Sequence, residues 1–183
     1  QVLGNTYVQG LFYGHSTGAW TSLNPATSGA NGDNPPMQWH TFEFYGQIPN
    51  FDVRPHTAGG VATQSDFYNF KFDGYLDIPT NVAPQTQTYQ FRTTSDDGTM
   101  LYLDNFNPND VTQYRYLTND GVHGDATVAG NDITLAPGPH RIVVLYFEST
   151  GNQSLTVQYR IKTSSGYTGW TTIPNPMLRS GVY

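Results

Sequence analysis

Apolar side chains recur at every second position in the most regular stretches of this chain, the spacing of β-strands with one face turned inward. In "TYQFRT" Tyr89, Phe91 and Thr93 alternate with Gln90 and Arg92, and in "TMLYLDN" Leu101 and Leu103 flank Tyr102. Both patterns predict half-buried antiparallel strands. "SLTVQYRIK" alternates in the same way, with Leu155, Val157, Tyr159 and Ile161 on the inner face. "HRIVVLYFE", from His140 to Glu148, is instead apolar at successive positions, which predicts a central strand covered on both faces. Between these last two lies a short polar loop, Ser149 to Gln153. Pro137-Gly138-Pro139 predicts a tight turn, because proline cannot donate to a ladder and glycine accepts positive φ.

The first half is less regular. Residues 14–36 and 54–65 are rich in Gly, Ser, Thr, Asn and Pro and read as long surface loops between short strands such as "HTFEFYG" and "FYNFKFDGYLDI". No helical period, heptad or internal repeat appears. Several short strands separated by turn chemistry make an all-β antiparallel sandwich or barrel. At 183 residues, with 37% hydrophobic and only 12% charged side chains, one domain spanning 1–183 is expected.

Composition removes several function classes. No cysteine is present, so neither thiolate catalysis nor a cysteine metal site is available. A net charge of −6 opposes the phosphate attraction that nucleic-acid binding requires and suits a divalent cation. No apolar run is long enough for a membrane helix, and the opening Gln1-Val2-Leu3 has neither an initiator Met nor the basic and apolar regions that would lead one to expect a signal peptide within these residues. A module cut from a longer chain is the simplest expectation.

The stretch "TSDDGT", Thr94 to Thr99, carries the candidate chemistry. One reading is a hairpin turn, in which Asp and Gly supply local hydrogen bonds and positive φ. The other is a calcium site, since hard cations gather several carboxylate and carbonyl oxygens. Consecutive side chains of an extended chain point to opposite faces, so an unusual backbone would be needed for Asp96 and Asp97 to share one ion. Gly14-His15-Ser16-Thr17-Gly18 matches the nucleophile-elbow pattern but is followed by loop-like sequence rather than a helix, which argues against a serine hydrolase. The five histidines lack zinc-ligand spacing. Trp20, Trp39 and Trp170 suit either sugar stacking or the core. Asn152-Gln153-Ser154 is a glycosylation acceptor, and a glycan there would obstruct the loop, which favours a bacterial source.

Taken together, "GLFYG", "YQFRTTSDDGTMLYLDN" and "ITLAPGPHRIVVLYFESTGNQSLTVQYR" resemble the β-sandwich domain named after anthrax protective antigen, shared with yeast flocculins and bacterial RTX adhesins. The likeness runs from about Tyr89 to Arg160. It implies an antiparallel β-sandwich in which Asp96 and Asp97 are joined by a cis peptide and chelate Ca2+, with a second loop completing the site. Matching that loop places Glu148 where the flocculin pattern has a ligating Asn, and Thr150 and Asn152 where it has backbone ligands. Either Glu148 ligates directly or the ligands shift to Asn152 and Gln153. The resemblance thus implies metal ligands among Asp96, Asp97, Glu148, Thr150, Asn152 and Gln153, and a sugar contacted by Asp96, Asp97, Gly151, Asn152 and Gln153. The expected function is a non-enzymatic, calcium-dependent lectin module of a secreted bacterial surface adhesin, monomeric in isolation, binding cell-surface glycans. The alternatives are a structural or protein-interaction module of the same fold, or an accessory domain of a glycoside hydrolase.

Overall fold

Strand-forming β-branched and aromatic residues, broken by Gly, Pro and Asn, give a chain almost wholly of strands and connections. The structure is a computed structural model and describes residues 8–18, 20–23, 44–51, 53, 66–80 and 86–180. Its strands are β1 (Val8–Gln9), β2 (Leu11–Thr17), β3 (Phe44–Ile48), β4 (Tyr68–Ile78), β5 (Gln87–Asp96), β6 (Thr99–Leu103) and β7 (Arg115–Asn119). There follow β8 (Ala126–Ala129), β9 (Ile133–Leu135), β10 (Gly138–Glu148), β11 (Ser154–Thr163), β12 (Gly166–Tyr167), β13 (Thr171–Thr172) and β14 (Leu178–Ser180). A 3₁₀ turn at Asn175–Met177 is the one helical element among the described residues.

Two antiparallel sheets result. The first runs β1-β14-β4-β10-β6-β7, with β2 pairing both β3 and β4; the second runs β12-β11-β5-β8, with β13 on β11 and β9 on β5. Inward-facing residues of both build one core, including Phe70, Phe72, Leu101, Ile142, Val144 and Tyr146 from the first sheet and Tyr89, Phe91 and Val157 from the second. The sandwich expected from the sequence is therefore the fold observed.

Several local expectations change. The strand β6 is buried on both faces, not half-buried. Its outward residues Met100 and Tyr102 join Val143, Leu145 and Phe147 in a second cluster, over which Trp20 and Leu23 are packed. Such cover is long-range, which is why strand periodicity missed it. Trp20 is accordingly core, whereas Trp39 and the loop at 54–65 lie outside the described residues. Residues 14–17 belong to β2 rather than to a loop, with Gly14 opposite Lys71 and Ser16 opposite Asn69, so the elbow-like stretch is ladder. The short strand at 40–46 becomes β3, beginning at Phe44 among the described residues. The turn at Pro137-Gly138-Pro139 is also smaller than expected, because the β10–β4 ladder already starts at Gly138. Pro139 is tolerated there because β6 joins β10 only from Ile142.

The largest correction concerns the loops. β5 lies in the second sheet and β6 in the first, so Asp97-Gly98 crosses between sheets and is no hairpin turn. The same holds for the loop after β10, which returns to the second sheet at β11, and for the loop after β7, which returns at β8. Register puts these crossings side by side: Thr99 faces Tyr146 and Asn119, while Asp96 faces Ser154 and Ser95 faces Ala126. One end of the sandwich is therefore closed by three adjacent inter-sheet connections, with the aspartate pair in the middle.

Gly98 is fixed by packing. A Cβ there would lie 2.3 Å from Cε1 of Phe147, a ring held in the second cluster. Gly98→Ala is expected to destabilise the fold by about 1–3 kcal/mol through overpacking. Gly124→Ala, where a Cβ meets nothing within 4 Å, serves as the comparison and should cost well under half of that in a urea titration.

A candidate cation site between the crossing loops

Asp97 is the mechanical centre of this end. Its side chain is 1% exposed, and its two oxygens are spent on the two flanking loops: Oδ1 accepts the His123 backbone N–H at 2.7 Å and Oδ2 accepts that of Ser149 at 2.7 Å. Hydrogen bonds to an ionised acceptor are the stronger kind, and here they satisfy two backbone donors in irregular segments. Other acids staple the same region. Asp125 accepts from the Ser154 hydroxyl, tying the 120–125 loop to the start of β11. Asp66 Oδ1 accepts the Gly151 N–H at 3.0 Å, and the Phe67 N–H donates to the Ser149 carbonyl at 2.9 Å, so the segment before β4 buttresses the 149–153 loop. Asp120 accepts from the Ser22 hydroxyl and from the Leu23 N–H, holding the segment that covers the second cluster.

Two carboxyl groups are not used in this way. Asp96 is 9% exposed, and its carboxylate accepts no hydrogen bond from the described residues, although its backbone carbonyl accepts from the Tyr146 hydroxyl. Glu148 is fully buried; Oε2 lies 3.0 Å from the Tyr146 hydroxyl, whose one proton it shares with the Asp96 carbonyl, while Oε1 has no partner among the described residues. One oxygen from each of Asp96, Asp97 and Glu148 lies within 4.8 Å of the others. The Asp96–Asp97 peptide is cis, as the resemblance implied.

Three carboxylates this close resist full ionisation. Burial, and then the negative charges of Asp97, Asp96 and Asp66, push Glu148 up to about 7, against the lowering effect of the Tyr146 hydroxyl. Asp96 is raised as well, by burial first and then by Asp97 and Asp125. An orphaned buried carboxylate oxygen facing two further carboxylates is the donor set a hard divalent cation needs, and these three residues could hold one.

The remaining residues expected at the site occupy the 149–153 crossing. Thr150, Gly151 and Asn152 are exposed and Gln153 is half-buried. The side chains of Thr150, Asn152 and Gln153 make no hydrogen bond to the described residues. Of the two alternatives for the second loop, the geometry brings Glu148 to the aspartates. Sequence reading missed Asp66 and Asp125 and the bond from His123 to Asp97. The acid-and-glycine run "NDGVHGD" at 119–125 was the available signal, since it repeats the composition of the SDDG crossing.

Comparison with solved structures fixes the architecture. A PA14 sugar-binding domain from an RTX adhesin superposes with a TM-score of 0.66 at 20% identity, covering 95% of this chain and 99% of that one. The fold is that of PA14 domains. The PA14 domain of MpAFP, an antifreeze protein, matches at TM-score 0.63 and 15% identity over 98% of this chain and 95% of that one. The epithelial adhesin 6 A domain of Candida glabrata, solved with Galb1-3GlcNAc, matches at 0.59 and 12% over 98% and 90%. Neither a protein-family model nor a curated protein sequence matches the chain. These PA14-fold neighbours are described as adhesin and antifreeze-protein domains, not as enzymes.

Two outcomes follow from the carboxylates. Asp97→Ala strands the His123 and Ser149 N–H groups and is expected to cost about 2–4 kcal/mol in chemical denaturation, more than Asp96→Ala, which strands none. Because Glu148 holds its proton more tightly folded than unfolded, its contribution to stability is complete below about 4.5 and is lost as pH rises through about 7. In metal-free buffer Tm should fall by about 5 °C more between pH 5 and pH 8 in the wild type than in Glu148→Gln, measured by calorimetry.

Proposed function

We propose that this chain is a calcium-dependent carbohydrate-binding module of a bacterial surface adhesin, with 1–183 forming a single domain of a larger extracellular protein. The observation that carries the reading is the unspent pair of acids: Asp96 without an acceptor role and Glu148 with an orphaned oxygen, both converging on Asp97 at the closed end of the sandwich. Asp96, Asp97 and Glu148 would hold Ca2+. Thr150, Asn152 and Gln153, on the neighbouring crossing, supply further oxygens from backbone or side chain, since calcium takes six to eight. When bound, the ion offers coordination positions that vicinal sugar hydroxyls fill in place of water.

The chain's own groups then select the ligand. Asn152 and Gln153 present free amide donors and acceptors to a sugar, Gly151 leaves its outer side open, and unsaturated oxygens of Asp96 accept sugar O–H bonds. The sugar-binding domains among the structural neighbours support glycans as the ligand class. Contacts so few and so solvated imply affinity near the millimolar range for a monosaccharide, about 4 kcal/mol, which repetition along an adhesin would raise. Catalysis is no part of this reading: Asp96 and Asp97 are neighbours in one crossing, not two carboxyl groups facing each other across a glycosidic bond.

A glycan array probed in calcium and again in excess chelator should show binding in the first arm only. Equal signals in both arms, or none in either, would sink the reading. Asp96→Asn is the cleaner variant because Asp96 does not staple the loops. It should retain the wild-type fold and lose at least about tenfold in calcium affinity by titration calorimetry.

A further inference from the structure

The outer face of the second sheet carries a second constellation, distant from the acids. Inward residues of β5 are Tyr89, Phe91, Thr93 and Ser95, so Gln90, Arg92 and Thr94 point outward; on β11 the outward set is Gln158, Arg160 and Lys162. Trp170, after β12, is in contact with two guanidinium groups: Arg92 Cζ is 4.4 Å and Arg160 Cζ 4.5 Å from the ring centroid. Tyr167 continues the row, with Arg160 Cζ at 3.9 Å and Lys162 Nζ at 5.7 Å. Cations and aromatic rings thus alternate across the face.

What makes this more than a structural ladder is the chemistry left over. Arg92 Nε donates to Gln158 and Arg160 Nε to Gln90, each at 2.7 Å and each to the residue facing it across the ladder. Those bonds and the stacking fix both guanidinium planes, yet the terminal amino groups of both arginines donate to no acceptor among the described residues. Neither arginine forms a salt bridge with an acid among the described residues, although the chain has 14 acids for 8 lysines and arginines; Asp132, whose charge acts on Arg160, is itself spent on Lys162 and Tyr167. Lys162, by contrast, is paired with Asp132 at 2.7 Å. A guanidinium fork held in place by its Nε and by an aromatic face, with its Nη pair open, is set for bidentate capture of an oxyanion.

We propose that Arg92 and Arg160, both stacked on Trp170, form a binding site for uronate-bearing polysaccharide, taking a sugar carboxylate on the Nη groups that donate to no acceptor among the described residues. Both faces of the indole are not needed for the ligand, because the ring serves to position the cations; the recognised group is the anion. The face offers Arg, Gln, Thr and Tyr and no apolar patch of the size a stable protein interface needs. Two open cations are too few for duplex nucleic acid, whose binding rests on many phosphates. A polyuronate carries a single charge per sugar, fewer than a nucleic-acid duplex, so two fixed guanidinium forks can engage it locally against the long-range repulsion of a chain of net charge −6. The site lies four residues along β5 from Asp96, about 13 Å, with the Thr94 and Thr127 hydroxyls between. It does not depend on the calcium reading.

The test is binding of the full chain to immobilised polygalacturonate, dextran sulfate and neutral dextran in about 0.15 M salt with EGTA present. The wild type should bind polygalacturonate and not dextran. Arg92→Gln and Arg160→Gln should each weaken binding about tenfold, and the double variant should abolish it, with Tm recorded for each to establish folding. The charge-preserving pair Arg92→Lys with Arg160→Lys should also bind several-fold more weakly, because the fork is lost. Wild-type affinity in the lysine pair would reduce the effect to bulk charge and overturn the site. No binding to polygalacturonate, binding to dextran sulfate alone, or binding that requires calcium would each overturn it too; the last would assign the ligand to the acidic end instead.

Discussion

A single buried carboxylate organises the end of this sandwich. Asp97 sits on the middle of three adjacent inter-sheet crossings and accepts one backbone N–H from each of the outer two. Without it, the 120–125 and 149–153 loops would have to satisfy those donors separately, in segments that lack a ladder to do so. The sheets set the loops side by side through the pairings of β6 with β10 and β5 with β11; Asp97 turns that proximity into a fixed geometry.

The acids at this end then divide by task. Asp66, Asp97, Asp120 and Asp125 accept hydrogen bonds that hold chain segments together, whereas Asp96 and one oxygen of Glu148 hold nothing. Burial, and then the neighbouring negative charges, raise the protonation midpoints of the two unspent groups, and a cation would relieve that crowding. Polar residues that neither fold the chain nor meet water are where function concentrates.

The strand periodicity made the second sheet legible, because inward and outward residues there differ in chemistry at every step, and the unbroken apolar run of β10 marked it as the central strand. β6 was misjudged because its outward cover, Trp20 and Leu23, comes from a segment some eighty residues earlier, and a local pattern carries no record of that. The resemblance to protective-antigen domains led to Asp96, Asp97 and their cis bond; periodicity alone left them as a turn, since it does not say which sheet a strand joins. Asp66 and Asp125 were invisible because their partners, Gly151 and Ser154, are fixed only by the crossing geometry. The arginine row is likewise a register property, created when Arg92 faces Gln158 and Arg160 faces Gln90.

The two bonds to Asp97 come from main-chain amides, not from the side chains of His123 and Ser149. Any amino acid except proline supplies the same donor at those two positions. The clamp therefore constrains the course of the flanking loops while leaving their side chains free to change. A scaffold built this way can change its surface sequence and still hold its loops; the fold itself is shared with adhesin domains 20% and 12% identical to this chain. Its surface chemistry is replaceable because its geometry is written in the backbone.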